Sequence, residues 1–282
     1  MLDLPDWLWP HFETSLGDMA AASAEALRHR APVTLRVNAR FASVEDAQAH
    51  LARDGIVTVR VDIARNALQV TDGERKIAQS AAYAQGLVEL QDGSSQAAME
   101  HLGIAPASRV LDYCAGGGGK TLAMAARVDG TWIAHDSAPH RMKDLRARAR
   151  RAGVRVSQLE TAELAGAAPF DLVLCDVPCS GSGTWRRTPD AKWRLTPERL
   201  AELTRIQPDI LEHAAGFVAP DGCLVYTTCS VLDAENRAII DRFCQTHPAW
   251  AVTETRHWPI SPTGDGFFLA RMRRADSDAV QP

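Results

Sequence analysis

The sequence predicts an α/β protein: a mostly parallel, doubly wound sheet that closes on an antiparallel hairpin, preceded by a small α+β module. Three observations carry this. From Arg109 onward, short apolar runs alternate with helical patterns, and βαβ alternation implies parallel strands. The last two apolar runs, WAVTETR and GFFLARMRR, have no helix between them, so they should pair antiparallel. Before about residue 75 the texture differs, with one long helical stretch and several short strands.

Taken in order, residues 7 to 30 have a helical pattern rich in Ala and Leu that breaks at Ala31 and Pro32. VTLRVNAR reads as a strand. SVEDAQAHLARDG reads as a short helix, with Ser43 as its cap and Gly55 as its stop. IVTVRVD and NALQVTD are two further strands. In the second part, RVLDYC, TWIAHD, VRVSQLE, FDLVLCD and GCLVYTTC are the strands. Helices are expected at KTLAMAAR, RMKDLRARARRAG, the stretch after Thr196, and DAENRAIIDRFCQTH. Thr196 followed by Pro197 and Glu198 is a helix start. Leu200, Leu203, Ile206, Ile210, Leu211, Ala214 and Phe217 recur at threes and fours and predict its buried face.

Composition narrows the function. The chain has 282 residues, 46% of them hydrophobic, which is ordinary for a globular protein and excludes collagen-like and largely disordered classes. No run approaches the roughly 18 apolar residues of a membrane span, and MLDLPDWLWPHFE is acidic where a signal peptide would be basic. A cytoplasmic protein without a membrane partner is expected. Six cysteines are too few for a disulfide scaffold, and no CxxC pair suggests a metal. A net charge of -4 argues against indiscriminate binding to polyanions, so any such partner must be held by local patches.

VLDYCAGGGGKT sets four glycines between a strand and a helix beginning near Lys120. Glycines let a ligand approach the main chain. The spacing fits neither GxGxxG nor the P-loop, since Ala115 stands where the first P-loop glycine would be. Asp136, at the end of the following strand, occupies the position of a ribose-binding acid, so the ligand reads as an adenosine carried without polyphosphate. The FDLVLCD strand ends at Asp176, with Pro178 and Cys179 in the turn beyond it, and GCLVYTTC ends at Cys229. Ligands of open α/β sheets bind at the carboxyl ends of strands, so both thiols and Asp176 are expected to meet the loop after Asp112. Cys114 within that loop, with Cys175, Cys223 and Cys244, reads as packing.

DYCAGGGGKT, DVPCSGSGTWRR and YTTCSVLDAEN, in this order, resemble the motifs of S-adenosylmethionine-dependent RNA cytosine-5 methyltransferases of the Sun/RsmB and nucleolar-protein family. The resemblance runs from PVTLRVNAR to DGFFLARMRR. It implies a seven-stranded Rossmann-like class I methyltransferase sheet, last strand antiparallel, over residues 76–282, and an N-terminal helical plus ferredoxin-like RNA-binding module over residues 1–75. It implies that Cys229 is the nucleophile, that Cys179 assists product release and that Asp176 touches the base. S-adenosylmethionine would be held by Asp112, Cys114, Ala115, Gly116, Gly117, Gly118, Gly119, Lys120, Thr121, Asp136, Glu160, Asp176 and Pro178.

Carbon 5 of cytosine is a poor nucleophile until a thiolate adds to carbon 6, which explains why such an enzyme needs a cysteine. A free thiol is only a few per cent ionised at neutral pH, and Lys120 is expected to stabilise the thiolate or the developing charge. Two departures stand out. The family usually has proline where this chain has Gly117, which should make the loop more flexible, and an Asp near the adenine where this chain reads LETAEL, with Glu160 as the offset substitute. The resemblance implies that longer bacterial relatives carry a separate helical RNA-binding domain in front, which is not expected within these residues. RNA selection would then rest on the first hundred residues and on catalytic-domain loops.

For RNA, GTWRRTPDAKWR interleaves Trp185 and Trp193 with Arg186, Arg187, Lys192 and Arg194, suiting phosphate contact and base stacking. Arg36 and Asn38 match a family RNA-facing motif. RMKDLRARARRAGVR has seven basic residues against one acid and reads equally as a solvated helix face. The expected partner is structured RNA, ribosomal before transfer RNA, bound by a monomer without a metal. A DNA cytosine methyltransferase would read Glu-Asn-Val where this chain has Thr-Thr-Cys-Ser. A silent ribosome-assembly factor of the same fold is opposed by the intact Cys229, Cys179, Asp176 and Lys120 set, and a nicotinamide oxidoreductase by the missing GxGxxG.

Overall fold

A computed structural model describes residues 3–275. Its strands are β1 (Val33–Val37), β2 (Val57–Arg60), β3 (Ala67–Asp72), β4 (Val88–Leu90), β5 (Arg109–Asp112), β6 (Thr131–Ala134), β7 (Ser157–Gln158), β8 (Phe170–Asp176), β9 (Val218–Thr228), β10 (Trp250–Trp258) and β11 (Phe267–Arg274). They form a four-stranded sheet of order β2-β3-β1-β4 and a seven-stranded sheet of order β10-β11-β9-β8-β5-β6-β7. The chain divides into two units. Among the described residues, one comprises 31–161 and 262–265, the other 3–30, 162–261 and 266–275.

In the first unit, β1 pairs antiparallel with both β3 and β4, and β2 pairs antiparallel with β3. With the Val44–Arg53 helix between β1 and β2, and helical turns between β3 and β4, this is the ferredoxin-like arrangement. Ser43 caps the first helix by accepting from the Asp46 amide at 3.0 Å. Leu35, Val37, Leu51, Ile56 and Leu68 close the module's core. The sheet is completed by β4, beyond the boundary expected at residue 75, in a stretch where a three-residue strand leaves no periodic signal. The same unit carries β5, β6 and β7 in parallel, paired through Arg109 with Thr131 and Ile133 with Ser157.

The second unit holds β8 and β9 in parallel, with β11 antiparallel to β9 and β10 antiparallel to β11, the closing hairpin expected from the sequence. Its long helix, Pro197–Ala215, starts at Thr196, whose hydroxyl accepts from the Arg199 amide at 3.2 Å. The buried stripe of this helix differs from the expected one. Leu200, Leu203, Gln207, Leu211 and Ala214 are buried, whereas Ile206 and Ile210 are half-buried. The opening helices, expected to belong with the α+β module, pack instead within this unit, where Leu8, Phe12, Ala20 and Leu27 share a core with Trp185, Leu195, Leu200 and Leu232. Among the described residues no helix is long and apolar enough to cross a membrane.

Candidate active site and cofactor loop

The glycine loop lies where the sequence placed it, between β5 and a helix at Gly119–Ala125. Gly116 and Gly118 have φ of +50° and +78°, in the left-handed region, and a Cβ on Gly118 would meet Leu145 Cδ1 at 2.1 Å. Glycine is therefore required there by both the backbone and its neighbour. The Thr121 hydroxyl donates to Asp112 at 2.6 Å and anchors the first turn of the helix to the strand end. Asp136 follows β6 and is buried. Its Oδ2 accepts from the Gly116 amide at 2.9 Å and lies 3.2 Å from Arg141, and its Oδ1 accepts from the Ala138 amide.

Several expected residues lie elsewhere than anticipated. Arg36 is buried and donates to Gln91 and, at 3.1 Å, to the carbonyl of Gly119. Burial pulls its guanidinium down to about 10, opposed by the Glu89 charge, so it stays protonated at neutral pH. Asn38 is also buried and donates to the carbonyls of Gly86 and Ala152 at 3.1 and 3.0 Å. Both side chains are turned to interior partners. They tie the module's first strand to the rest of its unit, and their polarity within an apolar run reflects interior hydrogen bonding. Glu160 is exposed, Lys120 half-buried and Pro178 exposed, the last in the turn between β8 and Cys179.

In the other unit, the loops after β8 and β9 bring Cys179 Sγ within 3.5 Å of Cys229 Sγ. Neither forms a disulfide. Asp176, at the end of β8, accepts from the Thr227 hydroxyl at 3.2 Å. The Cys179 thiol is pushed well up from its ordinary value, first by hydrogen bonding to Cys229, then by burial and by the charge of Glu235. Between the two loops lies Glu235, fully buried in a 3-10 turn, Asp233–Glu235. Its Oε1 accepts from the Ser180 amide at 2.8 Å and from Gln207 at 3.2 Å, and its Oε2 accepts from the Ser180 and Ser230 hydroxyls. In the sequence Glu235 stands as an acid at a helix start, and neither it nor Gln207 is marked as part of a site. The one signal for Gln207 is its place on the apolar stripe, spaced four from Leu203 and four from Leu211.

The loop expected to hold RNA is mostly interior. Trp185 is 1% exposed, donates to the carbonyl of Ser180 at 3.1 Å and stacks on Phe12 at 6.0 Å. Lys192 is buried in an ion pair with Asp3, and Arg186 is buried. The expected stacking role of Trp185 and phosphate role of Lys192 are thus replaced by packing. Arg187 and Arg194 are exposed, the latter paired with Asp190 at 2.7 Å, and Trp193 is 56% exposed. Short helical turns at Trp185–Arg187 and Ala191–Arg194 shape the segment that the sequence suggested was a loop.

A seven-stranded sheet with one antiparallel strand near its edge, a glycine loop after its first parallel strand and an acid after its second define a class I methyltransferase fold. Residues 99–273 match the family model of the 16S rRNA methyltransferases RsmB/F, and residues 4–75 match the ferredoxin-like domain of RsmF/B-like methyltransferases. The chain belongs to the RsmB/F methyltransferase family.

Among similar proteins, the probable ribosomal RNA small subunit methyltransferase B of Synechocystis sp. is 32% identical over 96% of this chain and 67% of its own length. The ribosomal RNA small subunit methyltransferase B of Xanthomonas campestris is 33% identical over 96% and 66%. The chain thus spans about two thirds of the length of these relatives. The crystal structure of PH0851 superposes with a TM-score of 0.87 at 31% identity, over 96% of this chain and 66% of that one. A methyltransferase homolog from Pyrococcus horikoshii gives 0.82 at 25% identity, over 97% and 96%.

Proposed function

We propose that this chain methylates carbon 5 of a cytosine in RNA, ribosomal RNA before transfer RNA, in the cytoplasm, through a covalent adduct of Cys229 at carbon 6. The observation that supports it most directly is the thiol pair, 3.5 Å apart on the loops after β8 and β9. Two thiols not joined in a disulfide, on separate strand ends in a methyltransferase fold, suit a reaction that needs one sulfur to add to the ring and a second group to help undo the addition.

The loop residues fit S-adenosylmethionine. The left-handed backbone at Gly116 and Gly118 turns the loop without side chains, and Asp136, the acid expected at the ribose, has a buried carboxylate beside it. Gly116 to Thr121 and Asp136 would hold it, and when bound it supplies an electrophilic methyl group. The chain's own residues do the rest. The Cys229 thiolate adds to carbon 6 and shifts electron density to carbon 5. Asp176, when it carries or shares a proton, donates to the base edge, and Lys120 stabilises negative charge. After the methyl group is in place, a base takes the carbon 5 proton, its electron pair restores the ring double bond, and the carbon–sulfur bond breaks to return Cys229 as a thiolate. Cys179 assists that release.

The test is methyl transfer from labelled S-adenosylmethionine to total RNA, followed by base mapping. Incorporation at cytosine carbon 5 that disappears in Cys229→Ala supports the reading. Methylation of another base or atom, or full activity without Cys229, removes it.

A further inference from the structure

We propose that Glu235 is a positioning residue for the thiol pair: its buried carboxylate ties the Cys179 loop to the Cys229 loop, and its negative charge opposes ionisation of the Cys179 thiol. The proposal deepens the reading of Cys229 as nucleophile and rests on it.

Four donors converge on this one carboxylate. The Ser180 amide and hydroxyl come from the residue next to Cys179, and the Ser230 hydroxyl from the residue next to Cys229. Gln207 gives the fourth, and its same amide nitrogen donates to the carbonyl of Pro178 at 3.0 Å. Neighbours on both sides of Cys179 are therefore fixed through one cluster. The Cys229 loop is fixed in turn by its own bonds. Ser230 accepts from the Leu232 amide, Asn236 donates to the Ser230 carbonyl, and Ser182 bridges the loops by a 2.9 Å contact to Ser230 and by accepting from the Val231 amide. The Tyr226 hydroxyl donates to the Glu235 carbonyl at 2.6 Å and holds its backbone. Both loops are thus tied to the same carboxylate, which is what a fixed sulfur-to-sulfur distance requires.

The charge argument follows from that geometry. A carboxylate in a fully buried pocket is poorly screened, so it disfavours a second negative charge nearby. Cys229, Glu235 and Tyr226 are titratable groups that couple to Cys179 from the other loop and from β9, and the Cys229 and Glu235 charges both raise its thiol. In the 3.5 Å sulfur contact either sulfur can donate, and on this proposal Cys179 is the S–H donor and Cys229 the acceptor, the order of ionisation the proposed reaction needs.

The experiment uses the full chain without RNA or cofactor, so its outcome is independent of whether cytosine is the substrate. Alkylation by iodoacetamide is followed at each cysteine by peptide mass spectrometry between pH 6 and 10, with thermal melting as the check on folding. In the parent protein, Cys229 should react first and Cys179 only at the alkaline end. Glu235→Gln keeps the shape and removes the charge. It should bring the Cys179 midpoint down by about one pH unit, roughly tenfold in reactivity at a given pH below the midpoint. Ser180→Ala keeps the charge and removes one hydroxyl, and should leave that midpoint in place. Should Glu235→Gln fail to fold, Glu235→Asp withdraws the charge by one methylene and should shift the midpoint the same way by less. An unchanged Cys179 midpoint in folded Glu235→Gln or Glu235→Asp overturns the proposal, as does an equal shift in Ser180→Ala.

Discussion

Arg148 donates through Nη1 to the carbonyl of Gly117, and a Cβ built on Gly117 would lie 3.0 Å from that same nitrogen. The residue that departs from the family's usual proline is thus the one that makes room for a guanidinium, and the flexibility expected of a four-glycine loop is met by an external tie. A second tie comes from Arg36 at the Gly119 carbonyl. Arg148 continues to Glu89 on β4, at 2.9 Å, where Arg151 also pairs and lies over the Tyr83 ring. The glycine loop is therefore linked by charged hydrogen bonds to the last strand of the ferredoxin-like sheet.

Replacing Arg148 by Met should remove both bonds while keeping much of the packing. Glu89 is buried and retains Arg151, so the cost is expected at about 1 to 3 kcal/mol, the scale of removing one partner of a buried polar group. A double-mutant cycle with Glu89→Gln, read by urea denaturation, should give a coupling above about 0.5 kcal/mol. Additive effects would show that the ion pair carries no energy of its own. Affinity for S-adenosylmethionine should fall in Arg148→Met, because the loop carbonyls lose their anchor.

Asp136 makes a separate prediction. Asp136→Ala should weaken S-adenosylmethionine binding by about 1.5 to 3 kcal/mol, measured by calorimetry, as a charge-assisted hydrogen bond to the ribose is removed. Arg141, which pairs with Asp136, is 55% exposed at its side chain. Its pair is worth at most about 1 kcal/mol to stability, so Arg141→Ala should leave the melting curve nearly unchanged. A cofactor affinity that is the same in Asp136→Ala would show that the ribose is held elsewhere.

The two thiols should fail in different ways. Cys229→Ala should abolish methyl transfer, because no other group adds to carbon 6. Cys179→Ala should form the adduct and release it slowly, so that protein and RNA migrate together in a denaturing gel. A persistent adduct in Cys229→Ala and none in Cys179→Ala would reverse the roles.

What the sequence made legible follows from signals that are local in the chain. The β8 run FDLVLCD and the terminal hairpin are continuous apolar strands between clear breaks, and they lie where expected. The glycine loop is legible because only backbone conformation explains four glycines in a row. The thiol pair is legible because strand ends collect at one edge of an open sheet. The misplaced residues share a physical cause. Arg36, Asn38, Trp185 and Lys192 are polar or amphipathic side chains whose partners are distant in sequence: Gln91 and Gly119, Gly86 and Ala152, Phe12, and Asp3. A buried hydrogen-bonded Arg and an exposed RNA-binding Arg look alike until those partners are known. Glu235 was hidden for the same reason, since an acid just before a helix is ordinarily explained by the helix dipole.

The last prediction separates packing from RNA binding within one short segment. Trp185 is buried against Phe12, so Trp185→Ala should cost about 3 to 5 kcal/mol of stability by the removal of a large core side chain. Any fall in RNA binding by that variant should follow its loss of fold and vanish at temperatures where it is fully folded. Trp193 lies on the surface of the adjoining turn, and Trp193→Ala should change stability by no more than about 0.5 kcal/mol. If the exposed part of this segment meets an unpaired base, the same change should weaken RNA binding by about 1 to 3 kcal/mol without altering its dependence on salt, because stacking releases no counterions. Replacing the exposed Arg187 and Arg194 by Ala should do the reverse, lowering the logarithmic salt slope by roughly 0.7 for each phosphate of a single-stranded RNA that is no longer neutralised. Binding curves at several salt concentrations, on variants first shown to bind S-adenosylmethionine like the parent, distinguish the two effects. Unchanged affinity and slope in all three exposed-site variants would move the RNA surface away from this segment, towards the exposed Lys143, Arg146, Arg150 and Arg155 of the basic stretch after Arg141.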